Sequence, residues 1–333
     1  MKIKVFNNKE DVLLLKVDWE VLFDKGNYSV FQSFTYCYNS IFKQSKPFII
    51  CYYEDGKLVE IWPLELKKNK LIFINDTHAD FCDIISETDS LTVVDFLKEN
   101  KLASLLRLKN LEKESIAIKK TDSIKVKDVS FSLNYSLLKL GKSDNFPSNF
   151  NHFVYRQKRR LKRILKKYNY NTVLYEIESS NFPIEKIKKL RIQMIELEIR
   201  NHKFLDDDLI SLTENLYNAG VLVVYEVLVE NNTTAISLIF KKDYYYSFWI
   251  DLFNDQQMMN LVSNTAFIKK NTKENSATFN FGRGDYSYKI QNFGPEVIPL
   301  FELNTYCTEA EKYLSLFLKS VKLVLKKLYK KFR

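Results

Sequence analysis

Glycine is scarce in this chain: its 333 residues contain seven. Where a chain this poor in glycine gathers several, the backbone needs positive φ or a bare approach to a ligand. Its four cysteines, Cys37, Cys51, Cys82 and Cys307, lie far apart with no Cys-x-x-Cys pair. That argues against a disulfide framework or a thiolate metal site and fits a reducing compartment. Three histidines, His78, His152 and His202, are too few to suggest a zinc enzyme, so no metal is expected. No apolar run approaches the roughly 18 residues of a membrane-crossing helix. The longest strand-like segment, residues 221–229, is broken by Glu226. Residues 1–16 alternate charged and apolar side chains, without the apolar stretch of a signal peptide. Together these absences lead us to expect a soluble, cytoplasmic protein with no transmembrane segment.

What the chain does have is apolar side chains. Hydrophobic residues make up 46% and aromatics 14%, ample for a packed core and against disorder. The length allows one large domain or two of about 150 residues. The net charge of +10 looks like a nucleic-acid or membrane signature until it is located. Residues 156–167 hold eight basic side chains and no acid, residues 319–333 hold seven and no acid, and the remainder carries −5. The basicity therefore belongs to two local surfaces, and no DNA partner is expected.

Along the chain, residues 2–5 read as a first strand and residues 18–23, with Trp19, as a short helical turn. Residues 31–42 open on an aromatic run and read as a helix. Residues 47–53 and 57–66 alternate as strands, with the hairpin signal Asp55-Gly56 between them, and residues 71–74 follow as a third. A polar cluster at residues 78–83 includes His78, Asp80 and Asp83. Such short acceptors suit a hydroxyl-rich substrate, although Asp80 or Asp83 can equally cap the turn ahead of the next strand. Residues 91–102 read as a helix and 129–138 as a strand; between 109 and 127 the pattern is too weak to place elements.

Residues 141–149, with Asp144, Asn145, Pro147 and Ser148, form the best candidate boundary, giving domains of residues 1–145 and 146–333. Ser148 or Asn149 then caps a helix reaching about Tyr168, whose Val154, Leu161, Ile164, Leu165 and Tyr168 recur at helical spacing. Its arginines, Arg156 and Arg160 among them, form either a solvated basic face or a set of guanidinium forks for substrate phosphates. A strand at 170–177 and a helix from Pro183 to about 200 follow, then a helix opening on Asp206-Asp207-Asp208 and ending before Gly220. Strands at 221–229, 233–240 and 244–251 form an antiparallel meander. A helix at 258–273, strands at 277–281 and 297–304, and an amphipathic helix at 309–330 complete the chain.

Three of the seven glycines, Gly282, Gly284 and Gly294, fall within residues 280–295, interleaved with Arg283, Asp285 and Lys289. Charged groups just past a strand's carboxyl end are the usual layout of an α/β active site. A turn whose charges face water is the plainer account, and Asp285 and Lys289, four apart, can simply pair. Gly282-Arg283-Gly284-Asp285, then Tyr288-Lys289, then Phe293-Gly294, resembles the signature near the end of the acetyltransferase domain in cellulose- and polysaccharide-biosynthesis members of the GNAT superfamily. These are distant relatives of the Fem peptidyltransferases. The order Trp19, Phe31-Gln32-Ser33, hairpin, Trp62-Pro63-Leu64 resembles the amino-terminal half of the same family. The resemblance implies an α/β (α+β) fold of two GNAT-like domains in tandem, each a mixed, mostly antiparallel sheet flanked by helices, the first a degenerate copy.

Acyl transfer from a thioester to an amine needs a place for the carrier, an amine without its proton, a donor for the oxyanion and an acid for the thiolate. The resemblance implies that acyl-CoA, as co-substrate, lies where strands 244–251 and 277–281 splay. Trp249, otherwise read as a core ring, would then meet the carrier's arm. Asn260, Leu261, Val262 and Ser263 would meet its pyrophosphate at a helix amino end. The superfamily's Gln/Arg-x-x-Gly-x-Gly/Ala loop is missing, and Asp255-Gln256-Gln257-Met258-Met259-Asn260 stands in its place without a glycine. Asp285 is the candidate proton acceptor for the amine, and Lys289 the charge near the carbonyl or a phosphate. Arg283, Tyr286, Tyr288, His78, Asp80, Arg156 and Arg160 are candidate substrate contacts. The expected activity is transfer of an acyl group to the amine of a nucleotide-linked amino sugar for surface polysaccharide. The alternatives are a Fem-like aminoacyl transferase using aminoacyl-tRNA and a non-catalytic adaptor on a polyanion or membrane surface.

Overall fold

A computed structural model of the chain describes residues 2–142, 148–168, 173–176, 181–254, 259–284 and 287–331. It falls into two compact units: Met1–Leu133 with Pro299–Arg333, and Asn134–Ile298.

The first unit is organised by its hairpin. Asp55 and Gly56 take φ of 49° and 81°, the left-handed pair that a two-residue hairpin needs, and Glu54 faces Lys57 across it. The strands so joined, β2 (Pro47–Glu54) and β3 (Lys57–Lys67), sit between β1 (Lys2–Phe6) and β4 (Lys70–Phe73). The order is β1-β2-β3-β4, all antiparallel, with the short β5 (Ile85–Ser86) also on β3. Helices α1 (Lys9–Leu13), α2 (Lys16–Asp24) and α3 (Phe34–Asn39) precede the hairpin. The helix expected over residues 31–42 is divided at Ser33, whose extended backbone ends a 3-10 turn. Its hydroxyl then accepts the Tyr36 N–H to start α3. Trp19 is fully buried and donates its indole N–H to the Gln32 carbonyl at 2.9 Å. Helix α4 (Thr92–Glu99) lies near its expected place. The weakly patterned stretch after it holds β6 (Arg107–Leu111) and α5 (Ile116–Lys120), both too short to print a period on the sequence.

A buried ion pair ties α5 to this sheet. Lys120 Nζ lies 2.6 Å from Glu60 Oε2 and also donates to the Ser90 carbonyl at 2.7 Å. Glu60 Oε1 accepts the Trp62 indole N–H at 2.6 Å and Oε2 the Ser86 hydroxyl at 3.1 Å. Even so, burial outweighs these partners and holds the Glu60 carboxyl above the usual carboxylate range.

The second unit begins within β7 (Lys127–Leu140) and continues through α6 (Ser148–Tyr168), β8 (Val173–Glu176), α7 (Ile184–Glu196) and α8 (Asp207–Asn218). The meander follows as β9 (Leu222–Val229), β10 (Asn232–Lys242) and β11 (Tyr245–Phe253). Next come α9 (Met259–Asn271), β12 (Ala277–Arg283) and α10 (Ser287–Phe293). Its strands run β7-β12-β11-β10-β9-β8, antiparallel except for the parallel pair β11–β12. Phe153 of α6 and Phe267 of α9 meet Phe248, Phe279, Phe281 and Phe293 in one apolar cluster. Leu161, Ile164 and Leu165 of α6 pack on a second cluster, which leaves the helix's arginines outward, as the periodicity predicts.

The chain then returns to the first unit with β13 (Glu296–Thr305) and α11 (Glu309–Lys331). Compared with the expected division at residue 145, the boundary is earlier and there are two crossings. From Tyr135 onward β7 bonds to β12 of the second unit, whereas Phe301, Leu303 and Asn304 of β13 pair with β6 of the first. Strand pairing, which a breaker-rich loop does not reveal, decides to which unit a segment belongs.

Lys120→Met is expected to cost about 3 to 5 kcal/mol in urea unfolding, because it strands a buried carboxylate. Glu60→Gln combined with Lys120→Met should recover most of that loss. If the double variant is no more stable than the single one, the pair is not the source of the cost.

Candidate active site

The parallel pair in the second unit is where its sheet opens. Tyr245 pairs with Thr278, Tyr246 with Phe279 and Ser247 with Asn280; beyond that the described residues of β11 and β12 pair no further, though both strands continue. Each strand bulges just past the last pair. On β11, Leu238 faces Ile250 and Ile239 faces Phe248, leaving Trp249 as the extra residue. On β12, Asn280 faces Leu137 and Arg283 faces Tyr135, so Phe281 and Gly282 together oppose Ser136. Bulges bend a strand and increase its twist, and two of them at one level prise a parallel pair apart.

Glycine is required at this opening. Gly282 has φ of 70° and Gly284 of 91°, and their N–H groups are taken by Asn280 Oδ1 at 2.8 Å and the Asn134 carbonyl at 2.7 Å. The carbonyls that this path turns inward meet one cation. Lys289, on α10 and 5% exposed, places Nζ 2.5 Å from the Phe281 carbonyl oxygen, 3.0 Å from that of Arg283, 3.4 Å from that of Gly284 and 3.5 Å from that of Gly282. The stacked rings of Phe248 and Phe281, with centroids 5.3 Å apart, and of Phe281 and Phe293, 4.4 Å apart, close the helical face beneath.

A polar knot lies on the same face. The Ser237 hydroxyl of β10 donates to Asp251 Oδ1 at 2.6 Å and lies 3.2 Å from Asn264 Oδ1, while Asn264 Nδ2 of α9 donates to Asp251 Oδ2 at 3.4 Å. Loss of solvent holds the Asp251 carboxyl above its ordinary range, against these bonds and the positive fields of Lys289 and Arg200. The fully buried Ser263 hydroxyl has no hydrogen-bond partner among the described residues, and neither does that of Ser247 at the last paired position. Sequence reading missed Ser237, Asp251 and Asn264 as a group. The available signal was a lone acid, Asp251, in an otherwise aromatic and aliphatic strand.

Arg283, Lys289, Trp249, Val262 and Ser263 all belong to the second unit. Arg283 is half-buried at the end of β12. Trp249 is half-buried, its ring 4.8 Å from that of Phe240. Val262 packs with Val227, Val229 and Ala235, a core position. Arg156 is exposed and Arg160 half-exposed on α6. Asp285 and Tyr286 lie outside the described residues, as do the side chains of Tyr288, Asn260 and Leu261. His78 and Asp80 belong to the first unit. There His78 Nδ1 lies 2.8 Å from Asn75 Oδ1, Asp80 is buried, and Asn110 Nδ2 donates to the Asp76 and Ala79 carbonyls at 2.9 and 3.0 Å. Their neighbour Asp83 is a cap. Its carboxyl accepts the N–H groups of Ile84, Ile116 and Ala117 at 2.7 to 2.9 Å and the Ser115 hydroxyl at 3.2 Å.

A mixed sheet opened at one parallel pair, with an antiparallel meander before it and a helix between the opened strands, is the arrangement that the resemblance implied, and the chain has an α+β fold of two mixed, mostly antiparallel sheets. Neither a protein-family model nor a curated protein matches the sequence. Among solved structures, the chain is similar to the C-terminal DUF2156 domain of a protein described as a lysylphosphatidylglycerol synthetase from Agrobacterium fabrum, with a TM-score of 0.60 and 12% identity over 94% of this chain and 97% of that one. L-PGS from Bacillus licheniformis gives a TM-score of 0.60 and 11% identity over 92% and 95%. FemX gives 0.56 and 11% over 94% and 99%. At these identities the likeness is one of fold.

Burial raises the Asp83 carboxyl to about 6 despite the hydrogen bonds it accepts. A raised folded-state pKa stabilises the fold below the unfolded value near 4, and that stabilisation is lost as pH rises through about 6. Between pH 4 and pH 7 the native protein should therefore lose up to about 3 kcal/mol relative to Asp83→Asn in urea unfolding. A gain over that interval would show that the capping bonds, not burial, set this group's titration.

Proposed function

We propose that this protein is a Fem-like aminoacyl transferase that takes the aminoacyl group of a charged tRNA and passes it to an amine. The observation that carries the reading is the likeness to FemX and L-PGS over more than nine-tenths of each chain, both units included. Two features of this chain support it. The segment where the superfamily holds a coenzyme pyrophosphate has no glycine, so the bare N–H groups of a phosphate cradle are missing from the sequence there. Helix α6 presents Arg156, Lys158, Arg159, Lys162 and Arg163 to solvent, an electrostatic surface suited to a polyanionic carrier.

In this reading the amine nitrogen attacks the ester carbonyl of the charged tRNA. The new bond is C–N, the bond broken is the ester C–O, and the amine's proton ends on the ribose hydroxyl. Asp285 accepts or orients that proton, with Tyr286 or Tyr288 able to relay it. Lys289 holds the carbonyls at the end of β12 and thereby the position of Arg283, and Arg283 meets a phosphate or the substrate carboxylate. The second reading keeps acyl-CoA as donor and an amino sugar as acceptor; the splayed parallel pair and the family motif favour it.

The test offers labelled aminoacyl-tRNAs and a panel of acyl-CoAs to the full chain. Label should leave the tRNA for an added amine, and thermal stability should rise with charged tRNA. Arg156→Ala, Arg160→Ala and Arg163→Ala combined should lower the log–log salt slope of tRNA binding by about 2 to 3. Asp285→Asn should lower turnover at least tenfold with binding unchanged. Stabilisation by an acyl-CoA with none from charged tRNA would transfer the assignment to the second reading.

A further inference from the structure

Helix α11 is built the wrong way round for a helix of a folded domain. Such helices bury an apolar stripe and expose a polar one. Here Tyr313, Leu314, Phe317, Leu318, Val324 and Leu325 are each more than half exposed. At 100° per residue their positions span roughly 140° of one face. Two ion pairs reach from it to the rest of the first unit: Lys319 Nζ lies 3.9 Å from Asp128 Oδ2, and Glu311 Oε1 lies 3.9 Å from Lys70 Nζ. By the same geometry Lys322, which is exposed, lies about 40° beyond one edge of that arc, from where a long side chain reaches headgroups while the apolar face is sunk.

We propose that α11 lies on an anionic lipid surface, its apolar face sunk among the acyl chains near the headgroups, its flanking lysines reaching lipid phosphates and the others adding to the attraction of the surface charge. Charge favours this occupant. Between Glu311 and Arg333 there is no acidic residue, and from Lys319 onward there are seven basic ones, a complement to anionic headgroups. A second copy of the helix would use the apolar face alone and leave this basic run without a counter-charge. Among the described residues no helix is long and apolar enough to cross a membrane, so α11 lies along the surface. The proposal is independent of the transfer reaction.

The test uses the full chain with vesicles of phosphatidylcholine alone and of phosphatidylcholine mixed with phosphatidylglycerol, read by cosedimentation and by protection of α11 from hydrogen exchange. Binding to the anionic vesicles only, weakening with salt, is the expected result. Lys322→Glu with Lys326→Glu should weaken it at least tenfold, since each change replaces an attraction to the anionic surface by a repulsion. Leu314→Ser with Phe317→Ser should abolish it while the thermal unfolding of the chain stays in place. Equal binding to neutral vesicles, or none to either, overturns the proposal. So does a concentration-dependent dimer that Leu314→Ser with Phe317→Ser dissolves, which would assign the face to a second copy.

Discussion

One buried ammonium governs the end of β12. Four successive carbonyl oxygens, from Phe281 to Gly284, converge on Lys289 Nζ. Carbonyls of an ordinary strand alternate in direction and cannot do this. They converge because Gly282 and Gly284 take left-handed φ, and the bent path is tolerable because a cation satisfies oxygens that would otherwise be buried without donors. The dependence runs both ways, since the polar end of a lysine this deeply buried needs acceptors around it. Helix α10, which carries Lys289, is thus fastened to the strand it follows, and Phe293 at its other end is locked between Phe281 and Phe153.

The opening of the sheet follows from the same local geometry. The bulge at Gly282 and the bulge at Trp249 lie on neighbouring strands just beyond their last shared pair, so each strand turns away from the other and neither finds a new partner there. On β12 the carbonyls from Phe281 to Gly284 are turned to Lys289, so the backbone donors and acceptors that the opened pair leaves toward the gap are those of β11, which a continuous sheet would consume. Leaving them available is the structural precondition for binding an extended substrate arm. The knot of Asp251, Ser237 and Asn264 stiffens β11 on the far side of its bulge, so the gap is defined by two braced edges.

Much of this was legible in the residues, and the exceptions have physical causes. The hairpin at Asp55-Gly56, the meander, and the glycine cluster at 282–294 each rest on a local rule that tertiary context cannot easily override: a turn type, a period of two, a positive φ. Helix α6 was legible because a long element repeats its period often enough to be read. Elements β6 and α5 were not, because five residues carry barely one period. The split of residues 31–42 turned on Ser33 preferring to cap rather than continue a helix. The role of Lys289 was half seen. Its presence beside the glycines marked the spot, but its contacts with main-chain oxygens belong to a partner class that sequence patterns do not register. Asp83 shows the converse, a carboxylate whose partners lie 33 and 34 residues onward on a helix too short to foresee.

The discontinuous make-up of the first unit has a consequence for how the polypeptide comes into being. Strand β6 must wait for Phe301, Leu303 and Asn304, about 190 residues downstream, before its antiparallel neighbour exists. On a ribosome the inserted second unit emerges whole in the interval, so the order of completion reverses the order of synthesis. Closing so long a loop adds little to the entropic cost but slows the search. The nascent first unit must therefore keep its unfinished sheet from pairing with strangers until the last strand is delivered.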